Sequence, residues 1–244
     1  MTGAVLILGA TSDIGRAIAQ AYAARGHAIQ LAARNPEALE PAAKDLRLRH
    51  NVDVTCHRFD ALDLDSHGDF VTALPVLPEI AVSAVGLMRA QPESERDPGA
   101  GIVVMRSNFE GPAHIFAHLA NAFAARGSGT LIGISSVAGD RGRASNYTYG
   151  AAKAGFTAYL SGLRNRLNDD GVHVLTVLPG FVRTQMTDGM DLPARLTAEP
   201  DEVAAAVLRA AERGKNILYV RPIWWLVMAI IRNIPEAIFK RLKI

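Results

Sequence analysis

Short apolar segments alternate with longer amphipathic ones along most of the chain, and this alternation restricts the fold more than any other feature. Ala4–Leu8, Ala28–Ala33, Val52–Phe59, Ile80–Ala84, Thr130–Ser135, Val172–Leu178 and Ile217–Val220 read as strands, the first and fourth almost wholly apolar. Between them, Asp13–Arg25, Pro36–Arg49, Asn108–Arg126, Thr148–Asn168 and Pro200–Arg213 carry apolar residues at helical spacing. Strands that are apolar throughout must be covered on both faces, which implies parallel βαβ units. Right-handed crossovers then wind the chain into an α/β, doubly wound parallel sheet of about seven strands with helices on both faces. Ligands of such a sheet bind beyond the carboxyl ends of the strands, so functional residues are expected directly after strands.

Composition narrows the function. The 244 residues suit one domain, and 49% hydrophobic with 20% charged residues is enough for a large core. A net charge of +2, with cations scattered among acids, predicts no nucleic-acid partner. The single cysteine, Cys56, cannot form an internal disulfide, which fits a reducing compartment. The first strand begins at Ala4 with no basic segment before it, so no secretory leader and a cytoplasmic location are predicted.

The first strand runs into Gly9-Ala10-Thr11-Ser12-Asp13-Ile14-Gly15. Gly9 permits a tight turn, the small residues let backbone approach a pyrophosphate, and Gly15 permits close helix packing. The helix start adds free N–H groups and a positive dipole end. Two glycines alone could equally be an ordinary strand-to-helix turn. Further along, Tyr149 and Lys153 stand four residues apart, hence on one helix face. A phenol with a pKa near 10 needs a neighbouring cation before it can exchange protons at neutral pH, and a lowering of about three units takes roughly 4 kcal/mol, within reach of a desolvated ammonium plus an oxidised nicotinamide. Such a tyrosine could give a proton to a carbonyl oxygen or take one from an alcohol. Ser136 follows the strand Thr130–Ser135, and Asn108 opens the helix before that.

Taken together, these motifs resemble the short-chain dehydrogenase/reductase family over residues 3–185 and more weakly over 200–220. The resemblance implies a Rossmann-type NAD(P)-binding catalytic domain over 1–221 and a hydride transfer between the dinucleotide and a carbonyl or alcohol substrate. Tyr149 corresponds to the family's acid/base, Lys153 to its partner, Ser136 to the substrate-binding serine and Asn108 to the asparagine that holds a relay water. Gly9, Thr11, Ser12, Asp13, Ile14 and Gly15 fall on the family's T-G-x-x-x-G-I-G turn, with Leu8 and Asp13 as departures. Asp13 would repel a phosphate unless its side chain turns away or caps the turn. Asp60 and Ala61 match the adenine-binding position, and Ala84 and Gly86 lie on the N-N-A-G segment, of which only the glycine is kept. Pro179, Gly180, Val182 and Thr184 match the segment that packs on the nicotinamide. At the end of the second strand Arg34 stands where NAD enzymes carry an acid, which favours NADP(H) over NAD(H). The family also implies a homodimer or homotetramer, paired through the helices of Asn108 and Thr148.

Other readings fit less well. Gly133-Ile134-Ser135-Ser136-Val137 lacks the second glycine of a hydrolase elbow, and His173 falls inside a strand. His114 and His118 have a zinc-compatible spacing but no glutamate follows His114, so they read as surface or interface residues and no metal is expected. A dinucleotide sensor without turnover is disfavoured by four intact catalytic positions. Tyr147 reads as a pocket or interface residue, and the loop-rich 181–199 as a substrate lid.

The tail is the least typical part. In 222–244, an apolar and basic extension of the same domain, the nine-residue run Ile223–Ile231 is too short for a span of about 20 residues. Lys240, Arg241 and Lys243 among Ile238, Phe239 and Leu242 suit a helix lying on an anionic membrane, or one packed on the cleft or on another subunit. The membrane alternative would go with a lipid-linked or otherwise apolar substrate, and so with a membrane-associated reductase.

Overall fold

Leu6 and Leu8 face one side of a sheet while Val5 and Ile7 face the other, and all four are fully buried. The computed structural model describes residues 3–242, so Lys243 of the basic tail lies outside the described residues. Its strands are β1 (Val5–Leu8), β2 (Ile29–Ala33), β3 (Val54–Arg58), β4 (Ile80–Ser83), β5 (Gly129–Ile134), β6 (Val172–Leu178), β7 (Phe181–Val182), β8 (Thr197–Ala198) and β9 (Ile217–Tyr219). Seven of them make one wholly parallel sheet in the order β3-β2-β1-β4-β5-β6-β9, while β7 and β8 pair separately. The doubly wound α/β reading therefore holds, with seven strands.

Helices α1 (Asp13–Ala23), α2 (Glu40–His50), α3 (His67–Thr72), α4 (Gln91–Arg96), α5 (Pro98–Met105), α6 (Gly111–Arg126), α7 (Tyr147–Arg166) and α8 (Pro200–Glu212) surround the sheet. One core packs α1, α2 and α8 on the Val5 face, and the other packs α6 and α7 on the Leu6 face around Phe116, Phe123 and Phe156. The helix expected to begin at Asn108 begins ten residues earlier. Asp97 caps α5 by accepting from the Ala100 N–H at 3.2 Å, with Pro98 in the first turn. A π-helical turn over Arg106–Glu110 then joins α5 to α6. Gly99 and Gly101 weaken helix propensity here, so the segment's periodicity was hard to see.

The tail folds back as α9 (Ile223–Asn233) and α10 (Glu236–Phe239). Trp224 (4% exposed) and Met228 pack with Val137 and Leu178 at the carboxyl edge of the sheet. Arg141 holds this arrangement. Its Nη1 donates to the carbonyls of Ile231 (3.0 Å) and Ile234 (2.6 Å), Nη2 donates to the Glu236 carboxylate at 2.8 Å, and the guanidinium lies 3.8 Å over the Phe239 ring. No described helix is long and apolar enough to cross a membrane.

Candidate active site

The strand order reverses direction between β1 and β4, and a crevice opens at their carboxyl ends. Gly9 has φ of 78°, and a Cβ there would sit 2.9 Å from the backbone of Ala84 and Val85, so only glycine lets the two strand ends approach this closely. A Cβ on Gly15 would come 2.7 Å from the Gly9 carbonyl. Ser12 caps α1: its hydroxyl accepts from the Gly15 N–H at 3.0 Å and donates to the Gly9 carbonyl at 2.8 Å. This leaves the side chains of Thr11 and Ile14 on the crevice wall with Ala84 and Gly86.

The departure at Asp13 is resolved by its partners. One carboxylate oxygen takes the Arg16 guanidinium at 2.7 Å, and the other accepts from the Gln185 N–H at 2.8 Å. These contacts hold the carboxyl below its usual range even though burial pushes the other way. The acid is thus turned toward the 181–199 segment. Arg34, Asp60 and Ala61 lie beyond the crevice lining, at the ends of β2 and β3. Arg34 is exposed, whereas Asp60 accepts from the Leu62 N–H at 3.0 Å and passes its own carbonyl to buried His67 at 2.9 Å. His67 in turn lies 3.1 Å from His114, which faces His118, so this pair is part of a stacked histidine cluster. Among the described residues no group of three metal-ligating side chains is disposed to hold an ion.

Ser136, Tyr149 and Lys153 converge on the same cleft, which has a volume of about 670 Å³. The two adjacent serines divide their work. Ser135 is turned into the core, where its Oγ donates to the Lys153 carbonyl at 3.0 Å and lies 2.7 Å from the Thr157 hydroxyl. Ser136 Oγ lies beside the Tyr149 phenol and accepts from the Ala138 N–H at 3.1 Å. Lys153 is 3% exposed, with Nζ donating to the Ile134 carbonyl at 2.9 Å and lying 5.7 Å from the centre of the Tyr149 ring.

The protein's own groups do not by themselves lower the phenol. Desolvation pushes Tyr149 up to about 12, with the Ser136 hydrogen bond opposing it, and pushes Lys153 down to about 7. Burying both groups penalises both charged forms, and the ammonium is spent on a carbonyl rather than on the phenol oxygen. The protein alone therefore does not favour phenolate.

Asn108 is fully buried in the π-helical turn. Its Nδ2 donates to the carbonyls of Leu87 (2.6 Å) and Val104 (2.8 Å), and its Oδ1 accepts from the Leu87 N–H at 3.3 Å. The side chain thus braces the loop after β4. Pro179, Gly180, Val182 and Thr184 line the cleft after β6. A Cβ on Gly180 would overlap the Trp224 indole, whose Nε1 donates to the Leu196 carbonyl at 3.0 Å. Trp224, Met186 and Met190 are cleft residues that sequence reasoning did not single out, as are Arg89 and Arg143. The signal for Trp224 was present in the apolar run, but which tryptophan turned inward was not. Tyr147 is exposed and outside the lining.

A family model described as short chain dehydrogenase matches residues 3–193. An uncharacterized oxidoreductase of Mycobacterium tuberculosis is 38% identical, over 99% of this chain and 98% of that one. Another, of Streptomyces coelicolor, is 37% identical over 98% of this chain and 95% of its own length. Among solved structures, a short-chain dehydrogenase from Sphingobium yanoikuyae in complex with NADPH superposes with a TM-score of 0.81 at 25% identity, covering 96% of this chain and 97% of that one.

Proposed function

The chain belongs to the short-chain dehydrogenase family and is an oxidoreductase, and from that premise we propose that it reduces a carbonyl compound, or oxidises the matching alcohol, with Tyr149 as the acid/base. The observation that carries the proposal is the convergence of Ser136, Tyr149 and Lys153 on the cleft that begins at the Gly9–Gly15 turn. The chain's residues fit a nicotinamide dinucleotide. The Gly9 and Gly15 positions keep backbone N–H groups at the helix start clear of side chains, and the one carboxylate there is engaged by Arg16 and Gln185. Thr11, Ser12, Ile14, Ala84 and Gly86 would hold its phosphates and ribose, Asp60 and Ala61 its adenine, and Pro179, Gly180, Val182 and Thr184 its nicotinamide. When bound, it supplies the hydride and, in its oxidised form, a positive charge beside the phenol.

Tyr149 gives its proton to the substrate oxygen in reduction and takes it back in oxidation. Desolvation keeps the free phenol protonated, and the positive charge of a bound oxidised dinucleotide would favour its release of the proton. Ser136 orients the substrate oxygen, and Lys153 supplies a cation whose effect grows when the cleft is closed to water. Asn108 contributes by fixing the β4 loop. Arg34, exposed and bare at the end of β2, supports a preference for NADP(H), and the relative from Sphingobium was solved with NADPH.

Two surfaces support finer readings. Ile102, Val103, Met105 and Phe109, with Tyr147, leave an exposed apolar ridge on α5, the π-helical turn and α7, and we take it as the homo-oligomer interface. The outer face of α9 exposes Trp225 (61%), Leu226 and Ile230, and Lys240 and Arg241 follow, which suits peripheral contact with an anionic membrane. The test of the central proposal is an assay of a panel of carbonyl compounds, charged ones and apolar ketones included, with NADPH and NADH side by side. Wild type is expected to turn over with NADPH preferred, and Tyr149→Phe to lose at least a thousandfold in kcat while still binding NADPH. Turnover surviving in Tyr149→Phe refutes the assignment.

A further inference from the structure

The wall of the cleft between Ser136 and Tyr149 carries a charge that nothing in the protein answers. Arg89, Arg143 and Lys153 are the cations of the cleft lining, and Asp13 is its one carboxylate. Asp13 is engaged by Arg16 and Gln185, and Lys153 by the Ile134 carbonyl. Among the described residues Arg143 and Arg89 have no side-chain hydrogen bond or ion pair. The Nε of Arg143 is closed off from water yet unpartnered, and so is the Oδ1 of Asn146 three residues on. Asp140, the carboxylate nearest to Arg143 along the chain, is itself taken by the Tyr219 hydroxyl at 2.9 Å. Burial works against the charge of Arg143, and no neighbouring acid offsets it.

A partly buried, unpaired guanidinium is costly, and breaking even with that cost needs an anion with good geometry. Guanidinium offers a planar fork of donors that matches carboxylate or phosphate oxygens two at a time. Asn146 lies one helical turn before Tyr149, so Arg143 and Asn146 occupy the approach to the proton donor. Arg89 reaches the same cleft from the loop that Asn108 braces.

We propose that Arg143, with Arg89 on the same cleft, forms an anion subsite in the substrate half of the cleft, so that the substrate carries a carboxylate or phosphate group near its reacting carbonyl. This selects a charged substrate by pairing, and it rejects a neutral analogue because the guanidinium would then stay desolvated and bare.

The inference rests on the reductase reading for its turnover arm, and a binding arm is independent of it. Trp224 lines the cleft, so its fluorescence reports occupancy. The full-length protein is titrated with inorganic phosphate and with acetate at constant ionic strength, with NADP+ saturating so that dinucleotide phosphate sites are filled. Wild type is expected to give a saturable response to at least one anion, weakened at least tenfold in Arg143→Gln and partly restored in Arg143→Lys. Which anion responds separates a phosphate-bearing from a carboxylate-bearing substrate. In turnover, the kcat/KM ratio of a keto acid over its methyl ester should fall at least tenfold in Arg143→Gln. No saturable response to either anion, or one equal in wild type and Arg143→Gln, overturns the proposal. If anions bind as expected but no ketone is reduced, the subsite stands and the reductase reading fails.

Discussion

Lys153 offers a test that needs neither substrate nor dinucleotide. Its ammonium is 3% exposed and its pKa is depressed from 10.5 to about 7 by desolvation. Between those two values the unfolded chain binds a proton that the folded chain does not, so stability rises with pH across that window. The full penalty is present below pH 7 and vanishes above 10.5. At 1.36 kcal/mol per unit, a depression of this size costs the fold about 4 kcal/mol at pH 7 and less than about 1 kcal/mol at pH 10. Lys153→Met removes the titration and keeps the volume. It also removes the donor to the Ile134 carbonyl, worth about 1 kcal/mol, but that loss is independent of pH and cancels in the comparison. Urea unfolding of wild type and Lys153→Met, without ligand at fixed protein concentration, is run at pH 7 and pH 10. The stability of wild type relative to the variant should rise by about 3 kcal/mol over that interval. The other groups that titrate there, such as Cys56 with its thiol pushed up to about 11, are common to both proteins. A difference that stays flat with pH would mean that the ammonium is solvated, and the electrostatic account of the site would fall with it.

Trp224→Ala should cost about 3 kcal/mol, as for buried aromatics elsewhere, and loosen the Gly180 wall. Faster proteolysis within 181–199 and a weaker Kd for NADPH are the readouts, and an unchanged Kd would detach the tail from the dinucleotide site. Arg34→Glu should reverse the dinucleotide preference by at least tenfold in kcat/KM, since a carboxylate repels a 2′-phosphate and accepts from ribose hydroxyls. An unaltered NADPH to NADH ratio would remove Arg34 from the site. The double variant Trp225→Ser with Leu226→Ser, both on the outer face of α9, should reduce sedimentation with anionic liposomes at least fivefold while leaving the fold's melting temperature within about 2 °C. Equal sedimentation of wild type and variant would rule out membrane contact through this face.

The alternation of apolar runs and amphipathic stretches is a local property, and the amino-acid sequence determined the fold class from it, whereas Gly9 with Gly15 and the four-residue spacing of Tyr149 and Lys153 pointed to a site only when joined to the family resemblance. Periodicity and turn chemistry act within a few residues, which is why they can be read directly. It also left errors where local signals were weak, as at Asp97-Pro98, where glycines hid the true start of the helix. Tertiary structure decided what depends on distant partners. It turned Asp13 to Gln185, 172 positions away, and so removed a charge that the motif made troublesome. It committed Ser135 to Thr157, and it turned Trp224 rather than Trp225 into the cleft. It also set the protein's own push on the Tyr149 phenol, which is upward, because desolvation depends on everything packed around a side chain and spacing along a helix reports only one neighbour.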